Sequence, residues 1–327
     1  MKAWRVHELG QPREALRYEE VADPTPGDNQ VLVKVLAAPA NFPDVLLCRG
    51  EYQVKPPLPF TPGVELCGEV VAAGSAVTRA AVGDRVVGTP TLPGGAFAEY
   101  ALMEQQAVFA APSTLDDAEA ASLTIGYQTA WFALHRRTQI AAGDVLLVHA
   151  AAGGVGSAAV QLGKAAGATV IGVVGGPDKV RYATELGADL VVDRHTDDFV
   201  AAVKEFTGGR GADIVFDPVG GDAYAGSTKC IAFEGRIVVI GFAGGTIPQP
   251  ALNHALIKNY SIVGLHWGLY QLKNPAVIDE CHTALTALAE QGHLRPLISE
   301  RLALTDVADG VARLGEGSTV GRVVFVP

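Results

Sequence analysis

Between the apolar run VLLVH and the helical pattern GSAAVQLGKAAG lies Ala150 to Gly156, reading AAAGGVG. Glycines at such a junction let the main chain approach a bulky anion. Gly153 leaves room for a pyrophosphate against the backbone, and Gly156 lets the helix pack tightly on the strand. Ala152, Gly154 and Val155 complete the loop. The helix start behind them offers unpaired N–H groups and the positive end of its dipole. A strict GxGxxG search passes over this loop, because Ala151 stands where the first glycine belongs; what survives is AxxGxxG. The same glycines suit a turn that merely packs closely, so context decides. The loop sits at the first crossover of a strand–helix–strand unit, and that placement predicts dinucleotide binding.

A site that accepts a plain adenosine ribose ends its second strand, ~20 residues on, with an acid for the 2′-OH. Here the stretch is VVGGPDK, and the count from Gly156 reaches Gly175 and Gly176. Asp178 is the nearest acid, but it follows Pro177 in a first helical turn, where the dipole favours a carboxylate anyway. No like charge therefore opposes a 2′-phosphate at this strand tip. Lys179 is close by, and Arg194 follows the next strand in DLVVDRH. NADP(H) is expected over NAD(H).

The elements that must hold this loop follow from the pattern. From Asp144 onward, strands (VLLVHA, ATVIGVV, DLVVD, ADIVFD, RIVVIG, SIVGLHW) alternate with helices, among them PDKVRYATELG with Pro177 at its start and Gly187 past its end. Such alternation implies a parallel sheet covered on both faces. Before it, to about Ala111, short β-like runs broken by Pro and Gly suggest an antiparallel, barrel-like domain. The segment PSTLDDAEAASLT reads as a helix capped by Ser113 or Thr114. After it, PAVIDECHTALTALAEQG and TDVADGVARL (capped by Thr305) read as helices, and GRVVFV as a closing strand of the first domain. The fold class is α/β, with a β-rich domain (1–123 and 269–327) interrupted by a doubly wound parallel-sheet nucleotide domain (124–268).

Composition narrows the partners. A net charge of −10 argues against a nucleic-acid binder, which needs a basic face. Four cysteines without a CxxC pair point to free thiols in a reducing compartment. MKAWRVHELG interrupts its apolar residues with Arg5, His7 and Glu8, unlike a signal peptide. The apolar window from 145 to 163 holds His149 and Gln161 and suits a strand, loop and helix better than a membrane span. A cytoplasmic protein acting on a small molecule is expected. SIVGLHW is apolar for an edge strand, and pairing with a second copy would cover it.

A β-rich domain interrupted by an AxxGxxG nucleotide domain resembles the medium-chain dehydrogenase/reductase superfamily. HAAAGGVGSAAVQLGKAAGATVIG, PGVELCGEVVAAG, GDRVVG and NFPD look most like its zinc-independent quinone oxidoreductase branch, from Met1 to Pro327. The resemblance implies a GroES-like catalytic domain around a Rossmann domain, an active site in the cleft between domains, NADPH as cofactor and a homodimer. It implies that Asn41 and Tyr52 lie beside the nicotinamide; without a Lewis acid, Tyr52 is then the best candidate to donate to the substrate oxygen, its alternative being an aromatic wall of the cleft with no proton role, and Asn41 orients the carboxamide or ribose. It places Thr129 near the nicotinamide end, and Gly175, Lys179 and Arg194 around the adenosine phosphate. Phe242, Ala243, Leu265, His266 and Trp267 would line the cofactor channel. Arg194 departs from the aromatic ring or imidazole that family members often carry there.

No metal is expected. Zinc-dependent relatives use an early cysteine and a Gly-His-Glu motif, where this chain reads PANFPD and PGVEL. Val64 stands in the histidine's place and has no lone pair to offer. The expected reaction is hydride transfer to a quinone or an α,β-unsaturated carbonyl. Two alternatives stand beside it: an enoyl-thioester reductase of acryloyl-CoA type, and a non-catalytic NADPH-binding protein.

Overall fold

The strand Val145–His149 buries all five of its residues, as a strand covered on both faces must. In the computed structural model, which describes residues 1–327, it is central to a 6-stranded sheet. The order is Leu190–Asp193, Thr169–Val174, Val145–His149, Ala212–Asp217, Ile231–Val239, Ser261–Gly264, with every pairing parallel. The chain starts in the middle, winds to one edge, returns and winds to the other. The reversal falls beside the Ala150–Gly156 loop, where open α/β sheets bind ligands.

The crossover helices begin and end where the sequence says they should. Gly154–Ala165 is followed by Gly167 at φ 78°; Pro177–Glu185 opens on its proline and is followed by Gly187 at φ 98°. Both glycines occupy the left-handed conformation that ends a helix at little cost. Parallel strands under right-handed crossovers leave all their carboxyl ends along one edge of the sheet. The loops that follow those ends share that edge.

The other unit holds a 7-stranded sheet running from Ile298–Ala303 through Arg322–Val326, Gln30–Pro39, Leu66–Ala73 and Arg85–Gly88 to Val108–Ala110, with Tyr100–Glu104 also pairing Gln30–Pro39. All its pairings are antiparallel except the one between Ile298–Ala303 and Arg322–Val326. Its core gathers Val33, Val35, Leu47, Phe60, Phe97 and Phe325.

Several expectations shift. The compact units are Met1–Ile125 with Arg295–Pro327, and Gly126–Leu294, so residues 269–294 group with the nucleotide domain rather than the β-rich one. The cause is packing: the helix Pro275–Glu290 buries Val277, Ile278, Cys281 and Leu285 within that unit, and the Tyr270 ring lies 4.3 Å from Phe132. The helix expected from Ser113 spans only Asp117–Ala121; Asp116 caps it by accepting from the Glu119 N–H, while the Glu119 side chain accepts from the Asp116 N–H. Thr305 likewise lies within a 3₁₀ turn, Leu304–Asp306, ahead of the helix Val307–Gly315. SIVGLHW forms a strand only to Gly264. No helix is long and apolar enough to cross a membrane.

Candidate functional site

The phosphate loop is built tightly. Ala150 takes a left-handed φ of 51°, its carbonyl accepts from the Gly153 N–H at 2.8 Å, and Ala151 N–H reaches back to Val173 O at 3.1 Å. A Cβ on Gly156 would lie 2.1 Å from the Ala150 carbonyl oxygen, so only glycine allows the helix to approach the loop this closely. Gly153 is the N-cap residue and no side chain caps the helix Gly154–Ala165, so the N–H groups of its first turn are not taken by a cap. Ala151, Ala152 and Gly156 are buried, and Gly153, Gly154 and Val155 are half-buried.

The next strand tip shows why no acid stands there. A Cβ on Gly175 would lie 2.9 Å from Arg194 Nε and 3.0 Å from His195 Nε2. The guanidinium and the imidazole occupy the space an acidic side chain would need. Lys179 joins them: its ammonium is shifted down first by partial burial and then by the charge of Arg194. Asp193, at the end of its own strand, accepts from Gly176 N–H at 2.9 Å and His195 N–H at 3.0 Å, and its carboxylate lies 3.8 Å from His195 Nδ1. Those two bonds hold its carboxyl below the usual range. His195 escaped the sequence reading, since nothing in DRH says which side chain folds back over a neighbouring strand.

The remaining residues expected along a cofactor channel follow the carboxyl ends of further strands. Phe242 and Ala243 are exposed on a loop tied to the preceding one by Ala243 N–H to Pro218 O at 3.0 Å. Leu265 is half-buried and His266 exposed. Trp267 differs: it is buried, and its indole N–H donates to Gln128 Oε1 at 3.0 Å. It therefore fixes the short helix Gln128–Trp131, which carries the buried Thr129 between two π-helical segments, Leu123–Tyr127 and Phe132–Arg137. Wide turns of that kind recur at functional sites, and periodicity alone does not reveal them.

In the β-rich unit, Asn41 and Tyr52 flank the helix Phe42–Arg49, which Gly50 ends at φ 69°. Asn41 is buried; its amide nitrogen donates to Glu65 Oε1 at 2.9 Å and Pro39 O at 3.2 Å, and its oxygen accepts from Arg322 at 3.0 Å. Arg322 also forms a close ion pair with Glu65, and the other Glu65 oxygen accepts from Ile125 N–H at 2.7 Å. Asp44 accepts from the N–H groups of Asn41 and Gly63, both at 2.8 Å, and burial pushes its carboxyl up to about 7. Tyr52 is half-buried, and desolvation, followed by the charge of Asp44, raises its phenol so that it stays protonated.

The residues fit no metal. No three or more His, Cys, Asp or Glu side chains gather as a metal ion requires. The thiol of Cys67 is buried against Asp117 Oδ1 at 3.8 Å, and burial pushes it up to about 12.

His149 closes the strand before the phosphate loop and has a structural role. Ser227 donates its hydroxyl to Ala223 O at 2.7 Å, so it must accept the Nε2–H of His149 at 2.8 Å. Burial moves this imidazole down to about 4. The unfolded chain thus binds the proton first. The stabilisation from a neutral His149 is complete above the ordinary pKa of ~6.5 and is lost as pH falls towards 4, about 3 kcal/mol in all. Asp44 acts oppositely, favouring the folded state at low pH and losing that contribution as pH rises through about 7. Urea unfolding of wild type and His149→Gln between pH 4 and 7 isolates the histidine: the gap between the two curves should change with pH, and a constant gap would contradict the assignment.

Comparisons with known proteins agree with this geometry. A model described as "Zinc-binding dehydrogenase" matches residues 154–287, and one described as "Alcohol dehydrogenase GroES-like domain" matches 27–113. The chain is 38% identical over 326 residues to a quinone oxidoreductase-like protein 2 homolog of Nematostella vectensis, covering 99% of this chain and 88% of that protein. It is 32% identical to the quinone oxidoreductase of Homo sapiens, covering 100% and 98%. The solved structure of Escherichia coli quinone oxidoreductase complexed with NADPH aligns with a TM-score of 0.92 at 29% identity, over 100% of both chains. The chain belongs to the medium-chain dehydrogenase/reductase superfamily, in its zinc-independent quinone oxidoreductase branch.

Proposed function

We propose that this chain is an NADPH-dependent reductase delivering hydride to a quinone or an α,β-unsaturated carbonyl. The observation that carries the reading is the crowding of Arg194 and His195 about Gly175, with Lys179 close enough to Arg194 to feel its charge. Two cation-forming side chains stand where a carboxylate would be needed to hold an unphosphorylated ribose, Lys179 feels the charge of Arg194, and a 2′-phosphate would relieve that repulsion. The E. coli relative, crystallised with NADPH, supports the same choice.

When bound, NADPH supplies the hydride. The protein's part is to place and polarise. The Ala152–Gly156 backbone holds the pyrophosphate, Thr129 lies towards the nicotinamide end, and Phe242, Ala243, Leu265 and His266 line the channel. Tyr52, kept protonated by its surroundings, donates to the acceptor's oxygen as negative charge develops there. With Val64 in place of a ligand and no gathered metal donors, an acceptor reduced without a Lewis acid suits this site best. Tyr52→Phe should lower kcat by on the order of 100-fold with NADPH affinity retained, a typical loss for one oxyanion donor. Unchanged turnover would remove the residue from the chemistry.

The acceptor is found by following NADPH absorbance with a panel of quinones, enones and acyl-CoA esters. Consumption with quinones or enones supports the reading, and consumption only with acyl-CoA esters moves it to an enoyl-thioester reductase. NADPH binding without consumption by any of them identifies a binder rather than a catalyst.

The proposal includes a cytoplasmic homodimer. Ser261–Gly264 is an open sheet edge, and in the neighbouring helix Leu252, Leu256 and Ile257 are 72%, 77% and 73% exposed. A second copy pairing along that edge would cover both. Gel filtration at low micromolar concentration should give a dimer for the wild type and a monomer for Leu256→Glu. A monomeric wild type contradicts this assembly.

A further inference from the structure

We infer that Gln128 is a further binding residue: its side-chain amide, held in one orientation by Trp267, donates an N–H to an oxygen on the nicotinamide riboside half of the cofactor. The inference rests on the reading of this chain as an NADPH enzyme and adds a residue to that site. Gln128 is 1% exposed and opens the short helix Gln128–Trp131, next to Thr129. Its Oε1 accepts the indole N–H of Trp267 at 3.0 Å. An indole nitrogen only donates, so the amide must present its oxygen there and cannot flip. The NH₂ end is thereby turned away from Trp267.

That end makes no hydrogen bond within the protein. Nor is it sealed: unlike Thr124 Oγ1, which is both unpartnered and closed to solvent, Gln128 Nε2 keeps accessible surface. A buried side chain with a fixed oxygen thus offers its donors to a space that a ligand atom can enter. Polar groups buried to this degree are nearly always paired, by the protein or by what it binds.

The sheet order says which part of a dinucleotide comes within reach. The tip at Gly175 follows Thr169–Val174, and the phosphate loop follows Val145–His149. A dinucleotide continuing in that direction passes the carboxyl ends of Ala212–Asp217, Ile231–Val239 and Ser261–Gly264. Trp267 comes just after the last of these, so the glutamine it anchors stands on the nicotinamide side. All of these residues belong to one compact unit. An amide N–H needs an acceptor, and that half of the cofactor offers the carboxamide carbonyl and the ribose hydroxyls.

The test is a cycle of wild type, Gln128→Met, Trp267→Phe and Gln128→Met/Trp267→Phe. Thermal unfolding and calorimetric binding of NADPH and of 2′,5′-ADP are recorded for each. Methionine fills the glutamine's space without donors, and the double variant removes both polar partners together, which spares the fold. Gln128→Met should weaken NADPH about tenfold and leave 2′,5′-ADP within about twofold, since that ligand lacks the nicotinamide end. Trp267→Phe frees the amide to turn and should weaken NADPH about threefold. The double variant should bind NADPH within about twofold of Gln128→Met, because no amide is left to orient. Thionicotinamide NADP⁺ tells the two oxygens apart. If the carboxamide is the partner, wild type prefers NADP⁺ severalfold over this analogue and the Gln128 variants do not; an unchanged preference assigns the ribose.

NADPH affinity within twofold of wild type in Gln128→Met and in the double variant overturns the inference. So does a parallel loss of 2′,5′-ADP affinity, which marks a general disturbance of the unit. Losses that add across the pair overturn it too, because Trp267 would then act without Gln128. If Gln128→Met alone fails to fold, the double variant against Trp267→Phe decides by the same criteria, and if neither Gln128 variant folds the pair is structural and the inference falls. Wild-type protein that does not bind NADPH overturns the functional reading and this inference together. Wild type that binds NADPH, with Gln128 variants that bind it equally well, overturns this inference alone.

Discussion

Gly175→Asp should raise the dissociation constant for NADPH by at least about 100-fold, roughly 3 kcal/mol, while NADH affinity holds or improves severalfold. The first methylene alone meets Arg194 Nε at 2.9 Å and His195 Nε2 at 3.0 Å. Both contacts are ends of flexible side chains, so they give way and the protein still folds. What changes is the charge. The new carboxylate would pair with Arg194 and Lys179, withdraw them from a phosphate and repel that phosphate directly. The same carboxylate is well placed for an unphosphorylated ribose hydroxyl. Calorimetric titration with both cofactors, beside a thermal melt, measures it. An NADPH affinity within threefold of wild type would show that the phosphate binds elsewhere.

The second large effect separates packing from binding within one loop. In Gly156→Ala the new methyl would meet Ala150 O at 2.1 Å, Ala150 C at 2.7 Å and Ala151 Cα at 3.0 Å. All three are backbone atoms and cannot swing aside. The helix Gly154–Ala165 must lift off the central strand, costing about 3 kcal/mol of stability and misplacing the phosphate loop. Gly153→Ala is the control. Its methyl would sit 3.2 Å from Ala150 O, a contact that a small adjustment relieves, yet it occupies the face a pyrophosphate must approach. Denaturant unfolding should show Gly156→Ala strongly destabilised and Gly153→Ala close to wild type, with dinucleotide affinity lost in both by about 100-fold or more. Full affinity in Gly153→Ala would remove the loop from phosphate binding.

The nucleotide half was legible because its signals are local. Glycine punctuation, a continuous apolar strand and the spacing from Gly156 to Gly175 all lie within one short segment, and a parallel sheet then puts the strand ends on one edge. Local patterns also misled. Thr305 and Ser113 have the chemistry of helix caps, but it is Asp116, with Glu119 three residues on, that completes the reciprocal pair. The left-handed turn falls at Ala150, not a glycine, because the loop's own bonds to Gly153 and Val173 hold it there.

The β-rich half was less legible. Asn41 was named from NFPD, but its environment is set by Arg322, 281 residues away, and by Glu65. Nothing in the spacing of a single sequence joins such positions. The same holds for Trp267, expected against a cofactor and found with its N–H on Gln128, 139 residues distant. Residues 269–294 were assigned by the chain's apparent return to its first domain, whereas packing around Phe132, Tyr270 and Cys281 decided the matter.

The most direct measurement is a pair of calorimetric titrations of the wild-type chain, one with NADPH and one with NADH, in the same buffer at the same salt. Arg194 and His195 over a glycine, with Lys179 beside Arg194, predict NADPH bound at least about tenfold more tightly, with the margin narrowing as salt rises. Equal affinities, or tighter binding of NADH, would contradict the account at its centre.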